Sequence, residues 1–248
     1  MNHSDKINGI KSSPHYRWQY ISQGDTPREH LQNIKMALAG GAHWVQLRLK
    51  NQTTSTIIQA GREVAQCCAD YEAIFILNDY PELVSLVGAD GVHLGLLDMA
   101  VPEAKVLLGP DKIIGGTANT YEDVFRRVEE GCDYIGLGPF RYTRTKEKLS
   151  PILGMKGYDS ILSALEKDEK SCPIYAIGGI RLEDISALKA IGVHGIAVSG
   201  LITRACAEST SVPKEPVGLR AQDAMKNRTQ MEVPVLRNLI ERIALNLL

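Results

Sequence analysis

A closed barrel of eight parallel strands, each followed by a helix, is the fold this sequence predicts: a single-domain α/β protein of the (β/α)8 TIM-barrel class. Three observations predict it. A joint made of glycine, a small residue, Asp or His and a short apolar run recurs at Gly41-Ala42-His43, Gly88-Ala89-Asp90, Gly131-Cys132-Asp133 and Gly192-Val193-His194. Each joint follows a segment of helical spacing, so a glycine ends a helix and a strand begins two or three residues later. The chain has 248 residues, the length of one such barrel. A doubly wound open sheet is the structural competitor, but eight strand–helix steps without a second domain favour closure.

Taken in order, residues 1–16 are polar, lack the apolar core of a signal peptide, and read as an N-terminal tail. The barrel is expected over 17–206. Its strands are predicted near Trp18–Ser22, Trp44–Leu49, Ile74–Asn78, Gly91–Leu94, Lys112–Gly116, Tyr134–Gly138, Ile174–Gly178 and Gly195–Ser199. Amphipathic helices fall between them, as in Arg28–Ala39, Ile57–Ala69, Tyr121–Glu129 and Leu182–Ala190. Residues 207–248 form a C-terminal loop and helix. Glu208 to Gly218 is rich in loop-forming residues, whereas Val235, Leu236, Leu239, Ile240, Ile243, Ala244 and Leu247 make one helical stripe. That stripe either closes the outer helix layer or meets a second copy of the chain in a homo-oligomer.

Composition narrows the function. A formal net charge of -1 excludes a broad basic surface for nucleic acid. Five cysteines without Cys-x-x-Cys spacing speak for reduced thiols, not a disulfide frame or a zinc site. No run reaches the length of a membrane span. The expectation is a cytoplasmic protein acting on small molecules.

The chemistry starts at Gln46, Arg48 and Lys50, which alternate with Val45, Leu47 and Leu49. In a strand, residues two apart share a face. In a barrel jacketed by helices, the aliphatic face turns outward and the polar row inward, where two cations call for an anionic ligand. Sites in such barrels lie on the loops after the strands. In chain order those loops offer Asn78-Asp79, His93 to Asp98, Thr117 to Asn119, Gly138 to Lys146, Gly178-Gly179 and Val198-Ser199-Gly200. Asp79 and Asp98 follow adjacent strands, so both carboxylates can reach one hard cation such as Mg2+. Gly178-Gly179 and Val198-Ser199-Gly200 precede helices, where free backbone amides bind phosphate.

In this order, Gln46-x-Arg48-x-Lys50, Asn78-Asp79, Gly91-Val92-His93-Leu94-Gly95 with Asp98, Gly136-Leu137-Gly138-Pro139, Thr143-x-Thr145-Lys146 and Ile177-Gly178-Gly179-Ile180 resemble the thiamine-phosphate synthase family, from about Tyr20 to Arg204. The resemblance implies a Mg2+-dependent transferase. It condenses hydroxymethylpyrimidine diphosphate with a thiazole phosphate, releasing pyrophosphate through a dissociative, carbocation-like step. It also implies roles. Arg48, Lys50 and Lys146 contact the diphosphate with Asn78, Gln46 helps hold the pyrimidine, and Thr117 lies beside the departing group. Asp79 and Asp98 hold the metal. Gly178, Gly179, Val198 and Ser199 take the thiazole phosphate with Thr143 and Thr145.

Two departures accompany the match. Leu96 stands where the family usually has glutamine, and the proline common just before the first threonine is Tyr142. Two rivals remain at this level. A thiazole tautomerase would need a histidine after strand five, where this chain has Asn119. A non-catalytic sensor of thiamine precursors would keep the phosphate cup without turnover.

Overall fold

A computed structural model describes residues 3–142, 151–209 and 235–248. Eight parallel strands close into a barrel in the order β1 to β8: Trp18–Ile21, Trp44–Leu47, Ile74–Asn78, Gly91–Leu94, Ile113–Ala118, Tyr134–Leu137, Ile174–Ile177 and Gly195–Val198. Closure is made by β1 against β8, with Trp18 opposite Ile196 and Tyr20 opposite Val198. The helices are α1 His3–Ser12, α2 Pro27–Ala39, α3 Thr54–Asp70, α4 Val84–Val87, α5 Val101–Leu108, α6 Tyr121–Glu129, α7 Gly154–Lys167, α8 Ile185–Ala190 and α9 Gly200–Ser209, with a further helix, α10, over 235–247. Short 3-10 turns precede β1, α4 and α8.

The fold sorts its apolar residues into two cores, as strand alternation requires. Val45, Leu47 and Leu49 face outward into the layer between strands and helices. Trp44 faces inward, with Ile74, Ile76, Ile113, Tyr134 and Tyr175. Trp44 meets Tyr134 at 4.8 Å and Tyr175 at 5.0 Å between centroids, both edge-on, so aromatic rings plug the lower barrel. Polar side chains take the inward positions above that plug, and the plug therefore sets the depth of the site. Helix starts are capped by side chains that accept backbone amides: Thr26 from Glu29, Thr53 from Thr56 and Thr120 from Asp123.

The structure differs from the sequence reading at both ends of the chain. Within the stretch read as a tail, His3–Ser12 is a helix whose Ile10 is fully buried beneath the barrel. The Ile10 carbonyl accepts from His194 Nε2 at 2.8 Å and from the Tyr175 hydroxyl at 3.3 Å, and Lys6 pairs with Asp90. At the other end, α10 buries Leu236, Ile240, Ile243 and Leu247. A Cβ on Gly40, just past α2, would fall 2.8 Å from Ile240, and Ser186 on α8 donates to Asn246 at 2.8 Å. The stripe thus packs on this chain's own barrel, with Val235 left outside it at 57% exposure. Strand β5 runs on to Ala118, two residues further than read, so Thr117 lies on the strand and not in the loop.

Candidate active site

The inward row holds, but its depth is graded. Gln46 is buried at 1% exposure on β2, Arg48 is half-buried just past the strand, and Lys50 is exposed at the rim. The Arg48 backbone amide donates to Ser22 Oγ at 3.0 Å, and that hydroxyl also meets His30 Nδ1 at 2.7 Å. His30 Nε2 donates to the Gly24 carbonyl, so its Nδ1 accepts and the ring is neutral. Burial holds its pKa below the ordinary value. A neutral clamp on the β1–α2 loop thus fixes where Arg48 begins.

Lys50 pairs with Asp79, which follows Asn78 at the end of β3. Asp79 and Tyr80 have φ of 58° and 52°, left-handed values that side chains other than glycine rarely adopt. Two such residues together store backbone strain of about 1–3 kcal/mol each, and this strain aims the Asp79 carboxyl over the barrel mouth. The Asp79 amide donates to the His93 carbonyl at 2.9 Å, anchoring the turn to β4. Asp98 reaches the same place from the β4 loop, with Oδ2 taking the Gly95 amide at 2.6 Å. A Cβ on Gly95 would lie 2.8 Å from that oxygen, so the approach requires glycine. The two carboxyls hydrogen-bond to each other. Burial and Asp98 push Asp79 up to about 6, whereas Asp98 is held low by its bonds to Asp79 and the Gly95 amide, which outweigh its burial. Two carboxyls thus meet beside a lysine at the barrel mouth.

Thr117 is half-buried on β5, and its Oγ1 lies 3.0 Å from His93 Nε2. Arg127, buried at 3%, was not anticipated from the sequence. It donates to the Thr117 carbonyl at 3.2 Å and the Gly95 carbonyl at 2.9 Å, tying β5 to the Asp98 loop. One signal was available: Arg127 sits three residues after Val124, on the buried face of α6.

Across the mouth, Gly178 and Gly179 have φ of 91° and 70°. They curl the chain after β7 beneath Pro139 and Phe140, whose amide donates to the Ile177 carbonyl at 2.9 Å. Val198 ends β8, Ser199 follows it, and the Ser199 carbonyl accepts the first bonds of α9 from Ile202 and Thr203. The amides that open α9 therefore face outward. Gly178, Gly179, Val198, Ser199, Gly200 and Arg48 line a cavity of about 700 Å3, with Arg181 and Arg204 at its edge. A second cavity of about 220 Å3 lies between the β1–α2 loop and Arg48–Lys50. Arg48 lines both, standing between the two cavities. Arg141 is bound to Asp184 through both terminal guanidinium nitrogens and stacks over Phe140 at 4.7 Å. Thr143, Thr145 and Lys146, with Arg144 and Lys148, lie outside the described residues.

The (β/α)8 frame, with a glycine-lined cavity after its last two strands and paired carboxylates across the mouth, defines a TIM-barrel enzyme. Comparison with known proteins names the family. Residues 20–202 match the family model described as thiamine monophosphate synthase, and the chain belongs to that family. The chain is 55% identical over 185 residues to thiamine-phosphate synthase of Flavobacterium johnsoniae, covering 75% of this chain and 87% of that one. It is 46% identical over 187 residues to the protein of that name from Phocaeicola vulgatus, covering 75% and 90%. A solved structure of thiamine phosphate pyrophosphorylase from Pyrococcus furiosus superposes with a TM-score of 0.67 at 26% identity, covering 92% of this chain and all of that one.

Proposed function

We propose that the chain condenses hydroxymethylpyrimidine diphosphate with a thiazole phosphate, giving thiamine phosphate and pyrophosphate. It is thereby a transferase of an alkyl group other than methyl. The observation that carries this reading is the pairing of two anion sites of different design across one barrel mouth. One has cations and carboxylates, suited to a diphosphate that must leave. The other is a glycine-lined cup, suited to a phosphate that stays.

The leaving group departs with the electron pair of its carbon–oxygen bond. Arg48, Lys50 and Lys146 stabilise the charge that develops, with hydrogen bonds from Asn78 and Thr117. Gln46 holds the pyrimidine, and the thiazole nitrogen attacks the cationic methylene. The second substrate is placed by its phosphate on Gly178, Gly179, Val198 and Ser199, helped by Thr143 and Thr145. No protein nucleophile is needed, in keeping with thiols at Cys68 and Cys132 whose pKa values burial raises.

Asp79 and Asp98 fit Mg2+. They are hard oxygen donors in mutual contact, and among the described residues no cluster of three or more His, Cys, Asp or Glu side chains competes for a metal. Water and phosphate oxygens would complete the shell. When bound, the ion supplies positive charge to the diphosphate oxygens.

A tautomerase reading is disfavoured because Asn119 donates to the Gly138 carbonyl, a structural bond, and carries no titrating group. Among the described residues no helix is long and apolar enough to cross a membrane, which is consistent with a cytoplasmic role. The reading is tested by incubating the chain with both precursors and Mg2+ and detecting thiamine phosphate by mass. Binding of the precursors without product would establish the sensor instead. Lys146→Ala is expected to cut turnover on the order of 100-fold with the fold retained; near-normal activity would remove Lys146 from its role.

A further inference from the structure

Gln46 and Thr117, placed above at opposite ends of the pyrimidine diphosphate, are joined through the barrel interior. Gln46 Nε2 donates to Gln19 Oε1 at 2.8 Å, and Gln19 Nε2 donates to the Tyr134 hydroxyl at 3.4 Å. That hydroxyl lies 3.1 Å from His93 Nδ1, and His93 Nε2 lies 3.0 Å from Thr117 Oγ1. Gln19, Gln46 and Tyr134 are 1% exposed and His93 is 6% exposed, so the links among these four are shielded from water. Five strands contribute one residue each. The chain has an aromatic seat: a Cβ on Gly115 would lie 2.2 Å from the Tyr134 ring, so β5 keeps that space open for it.

Such a chain has a direction. A carboxamide oxygen only accepts and its nitrogen only donates, a hydroxyl has one proton, and a neutral imidazole has one N–H and one lone pair. With His93 neutral and the Tyr134 proton on its Nδ1, the links all run one way. With Gln46 donating to Gln19, Tyr134 donates to His93 Nδ1 and His93 Nε2–H donates to Thr117. The Thr117 proton then points into the mouth, and Gln46, whose Nε2 is given to Gln19, presents Oε1 as an acceptor. The reverse direction would present a donor at Gln46 and turn the Thr117 proton away. A diphosphate offers only acceptors to Thr117, and an exocyclic amine on the pyrimidine offers a donor to Gln46. Both ends of the substrate demand the same direction.

We propose that Gln19 and Tyr134 are positioning residues that set this direction. Gln19 makes Gln46 an acceptor for the pyrimidine amine, and Tyr134, through His93, makes Thr117 a donor to the leaving group. The proposal rests on the synthase reading for the identity of the substrate, but its direction can be read without turnover. Nitrogen-15 NMR of histidine-labelled protein, with no substrate present, is expected to show His93 as the Nε2–H tautomer. Tyr134→Phe is expected to lose that fixed tautomer and to lower kcat between about 10-fold and 100-fold, with the KM for the pyrimidine diphosphate within about 3-fold of the parent. Gln19→Met, similar in shape but without hydrogen bonds, is expected to raise that KM about 10-fold. A merely structural role would lower stability without splitting KM from kcat in this way.

His93 resting as the Nδ1–H tautomer in the parent protein would overturn the proposal. So would parent-like kcat in Tyr134→Phe together with a parent-like KM in Gln19→Met. If the parent protein makes no thiamine phosphate, the synthase reading fails while the tautomer still decides the direction of the chain. If either variant fails to fold, the parent tautomer and the other variant decide it.

Discussion

Replacing Gly178 by alanine separates backbone strain from loss of the proposed phosphate cup, provided Gly192→Ala is measured beside it. Both glycines have left-handed backbone, with φ of 91° and 93°. A side chain in that region costs about 1–2 kcal/mol. At Gly192 the added methyl meets nothing within 4 Å, so strain is the whole effect. At Gly178 it would lie 2.8 Å from Pro139 Cβ and 2.9 Å from Pro139 Cα, and a backbone atom cannot swing aside. Overpacking of this kind adds about 1–3 kcal/mol. Gly178→Ala is therefore expected to lose about 2–5 kcal/mol and Gly192→Ala about 1–2, by equilibrium urea unfolding. At about 2–4 °C per kcal/mol for a domain of this size, Tm falls by roughly 4–20 °C in the first and 2–8 °C in the second. Steady-state kinetics in the same preparations complete the comparison. The KM for the thiazole phosphate is expected to rise at least about 10-fold in Gly178→Ala, the worth of one or two lost amide bonds, and to stay unchanged in Gly192→Ala. Equal stability of the two variants, or an unchanged KM in Gly178→Ala, would refute the reasoning from cup geometry.

Three further outcomes are expected. Gly95→Ala drives a methyl to within 2.8 Å of Asp98 Oδ2, whose flexible end can move away; stability should change by less than about 1 kcal/mol while the Mg2+ concentration for half-maximal activity rises about 10-fold or more, and an unchanged requirement would detach Asp98 from the metal. Burial lowers the pKa of His30, His43 and His194 in the folded chain, so below about 6.5 the unfolded chain takes up protons first. Stability is then full above that pH and falls as pH drops from 7.5 to 6; a urea midpoint that is equal or higher at pH 6 would contradict this, Asp79 acting in the opposite sense as it takes up its own proton near 6. Ile10→Ala, beneath the barrel, should cost about 2–5 kcal/mol and leave both KM values alone, and a neutral effect on unfolding would mean that α1 does not seal the barrel.

The strands and the site's outline were legible because both follow local rules. Period-two alternation put Val45, Leu47 and Leu49 on the outer face and Gln46 on the inner one, and glycine joints marked where strands begin. Position along a barrel strand then brought Asp79 and Asp98 together. What escaped was non-local. The helix His3–Ser12 has only Ile7 and Ile10 as apolar residues, and its stability comes from Tyr175, His194 and Asp90, each far away in sequence. Arg127 acts on two backbone carbonyls brought to it by the fold, and the chain from Gln46 to Thr117 needs five strands in register. No window of sequence contains those contacts.

The most direct measurement of the central claim is pyrophosphate release under Mg2+ with each precursor omitted in turn. Release with both precursors, in a one-to-one ratio with thiamine phosphate, is the expected result. Precursor binding at both sites with no pyrophosphate above background would contradict it, and the paired anion sites would then belong to a binding protein.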